Sequence, residues 1–410
     1  MKQLQTLLSK IKNKSAKFGI VGTGYVGYTL GLAAAKAGFS VIGYDTQEDK
    51  AKRIKGLQQE GFVGTTDKSK LRDCDIISIC VPTPINDKHK PDLQPLLSAA
   101  ESLYPELKEG MLITLESTVA PGTSREVLRP ILEKSGLKVG DDLSLGFSPH
   151  RVDFGNPNYT LESIPKVMGG FDEDSLEAIK TFYSAFIKKI VPVSSLEAAE
   201  MTKILENSFR FMNIIFINEI AEYCTKRMIP VREVVDAAAT KPFGFMAHYP
   251  TAGISGHCIP VDPYYLVEDG KKFDYSFPML NEAFHFHEEH LMKGVKKIEE
   301  VLGSLKGKKI LIVGVAIKPG SDDARESAGG RIMDALEAKG AITLYSDTHI
   351  PNFEEQQSQE INPEFLKSCD AIVLVTYHSD INYQMLIDSG KPLFDTGYDI
   401  PVDMPHIYRI

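Results

Sequence analysis

The sequence feature that most constrains the fold is a glycine-rich turn between a short apolar segment and a run of helix-forming residues. Residues 18–21 (FGIV) are apolar, residues 22–27 read GTGYVG, and residues 30–37 are rich in leucine and alanine. This order predicts a β-strand, a tight turn and an α-helix. A second apolar segment, residues 41–44 (VIGY), follows the predicted helix. The region is therefore predicted to form a strand–helix–strand unit with parallel strands.

Asp45 follows the second predicted strand and lies 23 positions after Gly22. Dinucleotide-binding folds place an acidic residue about 20 positions after the first glycine, where it binds the ribose hydroxyls. The glycines allow the backbone to approach a pyrophosphate, whose charge the helix N-terminus stabilises. The pattern predicts an NAD site, since a carboxylate here repels the 2′-phosphate of NADP; a plain strand-to-helix turn is the alternative. The predicted contacts are Gly22, Thr23, Gly24, Tyr25, Val26, Gly27 and Asp45.

The alternation of strands and helices continues after this unit. Residues 76–81 and 111–116 are mainly apolar and predict two further strands of a parallel sheet. The loops that follow them contain Pro82, Thr83 and Thr118. Ligands of open α/β sheets bind at the carboxyl ends of the strands, so these loops are candidate ligand contacts. Ordinary loop chemistry is the alternative interpretation.

A long stretch without glycine or proline predicts one helix over residues 195–228. Its apolar residues lie around much of the circumference, which predicts burial on several sides, either between two domains of this chain or against a second copy. These residues are Phe209, Phe211, Met212, Ile214, Ile215, Phe216 and Ile217.

A second α/β unit begins at residues 309–313, with further strands predicted at 342–345 and 371–376. Its turn, residues 314–320, lacks the GxGxxG spacing, so no second dinucleotide site is expected. The predicted fold class is therefore α/β, with two Rossmann-like domains that contain parallel sheets and are joined by a long central helix.

Charge and composition argue against several kinds of partner. The chain has 46 Lys and Arg against 55 Asp and Glu, a net charge of -9, so it has no overall basic field for a nucleic-acid backbone or an anionic membrane. The most apolar run, residues 211–217, is too short to span a bilayer. Five scattered cysteines without a CxxC pair indicate neither a disulfide framework nor a zinc cluster. We therefore expect a cytoplasmic protein without nucleic-acid or membrane partners.

The N-terminal segment has two interpretations. Leu4, Leu7, Leu8 and Ile11 recur at helical spacing among lysines. This pattern fits a membrane-surface helix or a helix docked on its own protein, and we favour the second.

Three histidines lie close together in sequence, at positions His285, His287 and His290. Their spacing does not place all three on one helix face, and it is not the HExxH zinc pattern. We expect a solvated helix here and no metal site.

The most unusual local sequence is residues 253–263 (GISGHCIPVDP), which present Cys258 beside a histidine on a glycine loop. Asp262 follows four positions later. A loop nucleophile is one interpretation of this thiol. An inert buried cysteine is the other, since free cysteines are commonly buried and unreactive.

Five ordered segments together resemble the nucleotide-sugar 6-dehydrogenases, the family of UDP-glucose, UDP-N-acetylhexosamine and GDP-mannose dehydrogenases. The segments are residues 22–27 (GTGYVG), 117–122 (STVAPG), 200–207 (EMTKILEN), 256–263 (GHCIPVDP) and 318–327 (KPGSDDARES). The resemblance covers nearly the whole chain. It implies that a sugar CH2OH is oxidised to a carboxylate by two NAD in succession, through a thiohemiacetal and a thioester on Cys258. It also implies a homodimer formed through the central helix.

The resemblance assigns roles to matching residues. The resemblance implies that Lys203 and Asn207 stabilise the oxyanion. Their four-residue spacing places both on one helix face, which suits a shared target; a solvent-facing lysine and an asparagine that caps a neighbouring loop are the alternative. The implied catalytic residues are Cys258, Lys203, Asn207, Asp262, Thr118 and His150, with Thr118 and Asp262 as a water-ordering pair. Further implied NAD contacts are Pro82, Thr83, Thr118 and Arg325, the last to the pyrophosphate. The implied substrate contacts are Arg151, Lys203, Asn207, Phe243, Gly256 and Lys318, with Lys318 at the uridine diphosphate.

The resemblance also predicts the domains. They are an N-terminal helical extension (1–16), an NAD-binding Rossmann domain (17–195), a central helical domain with the catalytic lysine and the cysteine loop (196–300), and a C-terminal UDP-sugar-binding Rossmann-like domain (301–410).

Two positions depart from the family pattern. Residues 148–151 read SPHR where the family usually has Ser-Pro-Glu-Arg, whose glutamate is assigned to thioester hydrolysis. Our hypothesis is that His150 retains this role, since histidine can act as a general base near neutral pH; slow hydrolysis or release of the aldehyde are the alternatives. Ser255 replaces a frequent glycine, which would stiffen the loop of Cys258.

Three segments resemble the UDP-N-acetylhexosamine branch: residues 148–160, 164–170 and 241–245. They favour UDP-N-acetyl-D-glucosamine as the substrate, with UDP-N-acetylmannosamine or UDP-glucose as alternatives. Two other functions compete with this interpretation. A two-electron hydroxyacid dehydrogenase would share the NAD domain without the nucleophile, and a catalytically decayed NAD or nucleotide-sugar sensor would bind without turnover.

Overall fold

The computed structural model describes residues 2–56, 59–153, 158–401 and 404–410. The chain divides into two compact units: Met1–Glu206 with Tyr264–Tyr275, and Asn207–Pro263 with Ser276–Ile410. Residues 154–157, part of the segment compared with the UDP-N-acetylhexosamine branch, lie outside the described residues. The four-domain division stays a prediction.

A large, mainly parallel sheet forms the first unit. Its strands are β1 (Lys17–Val21), β2 (Ser40–Tyr44), β3 (Phe62–Thr65), β4 (Ile76–Ile79), β5 (Leu112–Leu115), β6 (Ser144–Phe147), β7 (Lys166–Gly170) and β8 (Ile190–Pro192). Their spatial order is β3-β2-β1-β4-β5-β6-β7-β8. The strands from β3 to β6 are parallel, β7 is antiparallel to β6, and β8 is parallel to β7. The order 3-2-1-4-5-6 is that of a Rossmann fold, whose ligand crevice lies at the carboxyl ends of β1 and β4, where the strand order reverses.

Helices cover the first unit. They are α1 (Lys2–Lys12), α2 (Tyr25–Lys36), α3 (Glu48–Lys55), α4 (Gln94–Leu103), α5 (Arg129–Leu132) and α6 (Glu173–Tyr183). In α1, Leu7 and Ile11 are buried in a core cluster that also contains Phe18 of β1. Lys10 forms an ion pair with Asp75 at 2.7 Å. The helix is therefore docked on its own unit, as favoured above.

The second unit contains a smaller parallel sheet. Its strands are β9 (Lys309–Val313), β10 (Ile342–Ser346), β13 (Ala371–Leu374), β14 (Leu393–Asp395) and β15 (Ile407–Arg409), with β11 (Asn352–Phe353) and β12 (Gln356–Gln357) as a separate hairpin. The order in space is β10-β9-β13-β14-β15, with every neighbouring pair parallel. The remaining helices are α7 (Leu196–Arg227), α8 (Val231–Ala239), α9 (Asp262–Gly270), α10 (Pro278–Leu302), α11 (Ala328–Glu337), α12 (Pro363–Ser368) and α13 (Tyr383–Asp388). The α/β class with two Rossmann-like sheets and a long helix is confirmed.

Three predicted strands end earlier in the structure than the sequence predicts. β5 ends at Leu115, one residue before the end of the predicted segment 111–116. The other two, β4 and β13, end early for one physical reason. β4 ends at Ile79, although residues 76–81 were predicted, because its neighbour β1 ends where Gly22 turns the chain with φ +91°. β13 likewise ends at Leu374, because its neighbour β9 ends where Gly314 turns with φ +86°. A left-handed conformation of this kind favours glycine.

The long helix α7 is continuous, as predicted, but not all of its apolar residues are buried. In the second unit Phe211, Ile215 and Ile217 are buried, and the rings of Phe211 and Phe284 of α10 lie 5.1 Å apart. Phe209 is 47% exposed and Phe216 59% exposed. Packing within a single chain therefore does not bury these two residues, and burial against a second copy stays a prediction. No helix among the described residues has the length and apolar character that a bilayer crossing requires.

A buried ion pair stabilises the core of the first unit. Lys166 Nζ at the start of β7 lies 2.7 Å from Glu116 Oε2 after β5, and both side chains are buried. The hydroxyl of Tyr183 donates to the other oxygen of Glu116. Burial raises the pKa of Glu116, although the bonds from Lys166 and Tyr183 act in the opposite direction. The pair therefore depends on both partners, since an unpaired buried charge is costly.

We predict that Lys166→Met lowers the free energy of unfolding by about 3 kcal/mol, because Glu116 loses its cation. The double variant Lys166→Met/Glu116→Gln is expected to recover most of this loss, because no buried charge remains. Lys180→Met, which removes an exposed pair with Glu177, is the matched control and should change the stability by less than about 1 kcal/mol. Urea unfolding of the four proteins measures the effect, and a double variant as unstable as Lys166→Met would contradict it.

Candidate active site

The predicted NAD turn is held by Asp45. Thr23 is buried; its backbone N–H donates to Asp45 Oδ2 at 2.7 Å, and its Oγ1 lies 3.1 Å from the same oxygen. The backbone N–H of Gln47 donates to the other oxygen at 3.0 Å. A carboxylate can accept about four hydrogen bonds, so these three donors leave capacity for a ribose hydroxyl.

The glycines of the turn fit a pyrophosphate. A Cβ on Gly27 would lie 2.0 Å from the carbonyl oxygen of Gly22, so helix α2 can approach the turn only with glycine there. A Cβ on Gly24 would meet no atom within 4 Å, so this side of the turn is open. Helix α2 begins after Gly24 without a side-chain cap, which leaves its first N–H groups for an anion. Tyr25 and Val26 occupy the first turn of this helix. The residues present therefore fit a dinucleotide.

The structure brings the predicted loop residues together at the carboxyl edge of the first sheet. Thr83 Oγ1 donates to the carbonyl of Thr118 at 2.7 Å, which joins the loop after β4 to the loop after β5. Pro82 is the exposed residue immediately before Thr83. The hydroxyl of Tyr265 in α9 donates to the carbonyls of Thr83 and Pro84 at 3.0 and 3.3 Å. Sequence reasoning missed Tyr265, since a tyrosine three positions after Asp262 carries no distinctive signal.

His150 follows β6 in an environment that keeps it neutral. Burial, with the ammonium groups of Lys166 and Lys203 nearby, lowers the pKa of His150 from its ordinary 6.5 to about 3. Arg151 donates to both oxygens of Glu206 on α7, at 3.2 Å from Nε and 2.5 Å from Nη2, and to the carbonyl of Pro165. His150 and Lys203 therefore lie near each other in the first unit, and Arg151 binds the loop after β6 to α7.

In the second unit, Cys258 is the cysteine with solvent access. Its Sγ lies 3.1 Å from His257 Nδ1, and its side chain is partly exposed. All five cysteines lie among the described residues, and the other four are buried. Burial raises the pKa of Cys74 to about 12 and that of Cys80 well above its ordinary value. Only a deprotonated, accessible thiol is nucleophilic, so Cys258 is the candidate.

Hydrogen bonds fix the loop around Cys258. The backbone N–H groups of Val261 and Asp262 donate to the carbonyl of Cys258 at 3.2 and 2.8 Å, which closes a tight turn after the thiol. Ser255 Oγ accepts from the N–H of Ala328 at the start of α11, at 2.9 Å. The departure at Ser255 thus supplies a contact that glycine could not.

Asn207 and Asp262 contact each other directly. Both are buried, and Asn207 Nδ2 donates to Asp262 Oδ2. An amide nitrogen carries two hydrogens, so this bond orients Asn207 and leaves one N–H to donate elsewhere. The structure therefore joins two of the predicted residues and disfavours the alternative in which Asn207 caps an unrelated loop.

The remaining predicted contacts are spread over the second unit. Arg325 is exposed and bound to Asp323, with Nε 2.8 Å from Oδ1. Lys318 is half-buried in the loop after β9, and Gly256 donates to the carbonyl of Glu326 at 3.3 Å. Phe243, after α8, is 71% exposed. To bind a pyrophosphate, Arg325 would have to give up its hydrogen bonds to Asp323 or bind both groups at once.

The histidines of α10 are not on a solvated helix, which corrects the expectation for two of them. His285 is exposed beside Glu289, but His287 and His290 are buried. His290 lies 3.0 Å from Glu222 and 3.1 Å from the carbonyl of Thr251, and His287 lies 3.2 Å from Arg331 Nη1. The local sequence does not predict this burial, because the residues that contact His287 and His290 come from other segments of the chain.

One cluster of possible metal ligands is used by the protein itself. The ligand atoms of His349, His378 and Asp380 lie within 4.8 Å of one another. However, Gly320 N–H donates to His378 Nδ1 at 3.2 Å, and His378 Nε2 lies 3.1 Å from Asp347. Both ring nitrogens are thus occupied, so we assign no metal here.

The chain matches three models of one family along its length. They are described as the UDP-glucose/GDP-mannose dehydrogenase family NAD binding domain (residues 54–187), central domain (197–288) and UDP binding domain (311–400). A model of the D-isomer specific 2-hydroxyacid dehydrogenase NAD binding domain matches residues 2–92. That match does not extend beyond the NAD-binding region.

Individual proteins are also similar to this chain over most of its length. The UDP-N-acetyl-D-glucosamine 6-dehydrogenase of Salmonella typhi is 30% identical, over 95% of this chain and 98% of that protein. Protein CapL of Staphylococcus aureus is 31% identical, over 88% and 89%. The structure of a UDP-D-ManNAc dehydrogenase from Pyrococcus horikoshii superposes with a TM-score of 0.86 at 26% identity, over 96% and 99%.

The fold, the site and the comparisons together place this protein in the class of NAD-dependent nucleotide-sugar dehydrogenases. The chain belongs to the UDP-glucose/GDP-mannose dehydrogenase family.

We predict that His150 makes the fold sensitive to acid. Because its pKa is lowered from 6.5 to about 3, the unfolded chain binds a proton below pH 6.5 that the folded chain does not. The stabilisation by the neutral ring is complete above that pH and is lost as the pH falls towards 3. When the pH is lowered from 8 to 5, the free energy of unfolding of the parent should therefore fall by about 2 kcal/mol more than that of His150→Gln. Urea unfolding at the two pH values measures both changes. The exposed control His285→Gln should behave as the parent; equal losses in all three proteins would refute the prediction.

Proposed function

We propose that this protein oxidises the C6 hydroxymethyl group of a UDP-N-acetylhexosamine, preferentially UDP-N-acetyl-D-glucosamine, to the uronic acid. The observation that carries the proposal is the partly exposed Cys258 in a chain whose other cysteines are buried. The family match and the relatives named as UDP-N-acetyl-D-glucosamine and UDP-N-acetylmannosamine dehydrogenases support the class of substrate. UDP-N-acetylmannosamine and UDP-glucose are the alternatives.

The NAD contacts assigned above form the turn and the loops of the first sheet. The turn of residues 22–27 would receive the pyrophosphate and Asp45 the ribose, with Pro82, Thr83 and Thr118 in the adjoining loops. Arg325 would add a cation. NAD bound there supplies the hydride acceptor for both oxidations.

Cys258 holds the intermediate between the two oxidations. Its sulfur bonds to the carbon of the C6 aldehyde, and the thiol proton passes to the carbonyl oxygen, which gives a thiohemiacetal. Loss of hydride and a proton converts this to a thioester. Water then adds to the thioester carbon, the C–S bond breaks, and the thiol and the carboxylate are released. One CH2OH, two NAD and one water thus give one carboxylate, two NADH and three protons.

Lys203 and Asn207 stabilise the oxygen that develops negative charge. Lys203 contributes an ammonium group, and Asn207 contributes the N–H that its bond to Asp262 leaves available. Asp262 holds this amide, and with Thr118 it orders the attacking water. Arg151, Phe243, Gly256 and Lys318 are assigned to the nucleotide sugar, with Lys318 at the diphosphate.

His150 is proposed to act in thioester hydrolysis. Its ring is neutral at physiological pH, so it can accept a hydrogen bond or a proton from water. A pKa of about 3 makes it a weak base, which predicts a slow hydrolysis step.

The proposal extends to the oligomeric state and the cellular location of the enzyme. We infer a homodimer formed through α7, because Phe209 and Phe216 on this helix are exposed in the single chain. We infer a cytoplasmic location without nucleic-acid or membrane partners from the acidic charge and the reduced cysteines. The four-domain division proposed from the sequence assigns NAD to the first sheet and the UDP-sugar to the second.

We predict two NADH for each UDP-N-acetyl-D-glucosamine consumed, because both oxidations occur on one Cys258-bound carbon. Cys258→Ala should form no uronic acid, since the thioester cannot form. Cys224→Ala, which changes a buried cysteine, is the control and should retain two NADH. Absorbance of NADH and mass analysis of the sugar measure this, with UDP-N-acetylmannosamine and UDP-glucose assayed alongside.

Three outcomes would overturn the proposal. One NADH per sugar with the alcohol oxidised only to a ketone would indicate a two-electron dehydrogenase, and release of the C6 aldehyde would contradict oxidation to the uronic acid. Binding of NAD and UDP-sugar without any NADH would indicate a sensor.

We predict that His150 limits hydrolysis of the thioester. His150→Ala should slow the step by about 10-fold or more, because the proton acceptor is lost. His150→Glu should accelerate it, because a carboxylate is a stronger base than a ring with a pKa of about 3. Intact-mass analysis of the acyl-enzyme after rapid quenching gives the rates, with His285→Ala as control. Hydrolysis of the thioester by His150→Ala at the parental rate would contradict the hypothesis.

A further inference from the structure

Glu200 is a buried carboxylate to which the reaction above assigns no role. It lies on α7 and is fully buried. Its Oε2 accepts from the backbone N–H of Gly122 at 2.6 Å, and its Oε1 accepts from the N–H of Ser124 at 2.8 Å. One side chain thus binds two backbone donors of the segment that follows β5.

The two bonds join two parts of the proposed site. Gly122 ends the loop of residues 117–122, which contains Thr118. Lys203 lies three positions after Glu200, almost one turn along the same helix. Thr118 is in turn bound to Thr83 through its carbonyl. Glu200 therefore sits where the Thr118 loop meets the helix of Lys203.

We propose that Glu200 is a positioning residue, which fixes the loop of Thr118 to the helix of Lys203 so that both keep their places through the two oxidations. The inference deepens the proposed function and rests on it. A loop held by two charge-assisted hydrogen bonds is better defined than a loop held by packing alone. Misplacement of a reacting group by about 1 Å can cost about 100-fold in rate.

The ionisation state of Glu200 is part of this arrangement. Both N–H groups point at carboxylate oxygens, so a proton on Glu200 would replace an acceptor with a donor. Burial raises the pKa of Glu200 to about 7, against the opposing effect of its hydrogen bonds. The other charged groups around it are Glu197 one turn earlier, Arg125, which pairs with Glu197 at 2.6 Å, and Glu126 beside Gly122. The carboxylate is present above pH 7 and is lost as the pH falls below it.

The test compares Glu200→Gln with the parent. The amide keeps the size of the side chain but places an NH2 group against one backbone N–H. We expect kcat to fall about 10- to 100-fold, with the KM for NAD and UDP-N-acetyl-D-glucosamine within about twofold. The decline of parental kcat below pH 7 should be absent from the variant. Glu197→Gln, which removes a carboxylate one turn away on the same helix, is the matched control and should keep the parental kcat and KM at pH 8, where Glu200 is ionised in both proteins.

A parental kcat and pH profile in folded Glu200→Gln would overturn the proposal. A parent without turnover of any UDP-sugar would instead contradict the proposed function, so the two failures are distinguishable. A second measurement needs no variant: hydrogen exchange of the parent, corrected for the intrinsic rate. Protection of the amides of Gly122 and Ser124 should fall between pH 8 and pH 6, while that of the amides within α6 should not. Unchanged protection at Gly122 and Ser124 would also overturn it.

Discussion

At the carboxyl edge of a parallel sheet the chain leaves the ladder with backbone N–H groups that need acceptors, and here buried carboxylates accept them. Asp45 binds the N–H of Thr23 after β1, and Asp347 binds those of Val315 and Ala316 after β9. Glu200 serves the segment after β5 in the same way. Because buried donors cannot be left unsatisfied without a large cost, each carboxylate fixes a loop conformation as well as a charge. The loops proposed to bind ligands therefore depend on these bonds.

A buried aspartate binds the turn after the first strand in both sheets, but the two aspartates accept different numbers of hydrogen bonds. Asp45 and Asp347 each follow the second strand of their unit and bind the turn after the first strand. Asp347 also accepts from the N–H groups of His349 and Ile350 and from His378, so its oxygens are saturated. Asp45 accepts fewer bonds and keeps acceptor capacity for a ribose. Similar topology thus gives one turn suited to a dinucleotide and another closed by its own side chains, which is why fold alone does not assign a ligand.

The sequence predicted those features that depend on neighbours along the chain. The turn of residues 22–27, the strand before it and the continuous helix α7 follow from local pattern, and the structure agrees. Features that depend on distant segments were missed or misjudged. His287 and His290 are buried because Arg331, Glu222 and Thr251 meet them from other segments. Glu200 lies within residues 200–207, a segment of the family pattern, yet its two hydrogen bonds are to a loop 76 to 78 residues away in the sequence.

His150 shows why replacing a buried glutamate with histidine is not conservative. Burial raises the pKa of a carboxylate, and nearby cations lower it, so the two effects oppose each other and leave a usable base. For an imidazole both effects act in the same direction, because each disfavours the protonated ring. Burial together with Lys166 and Lys203 accordingly lowers the pKa of His150 to about 3. An environment that suits a carboxylate base therefore weakens a histidine base. In the proposed mechanism, this effect falls on the hydrolysis of the thioester.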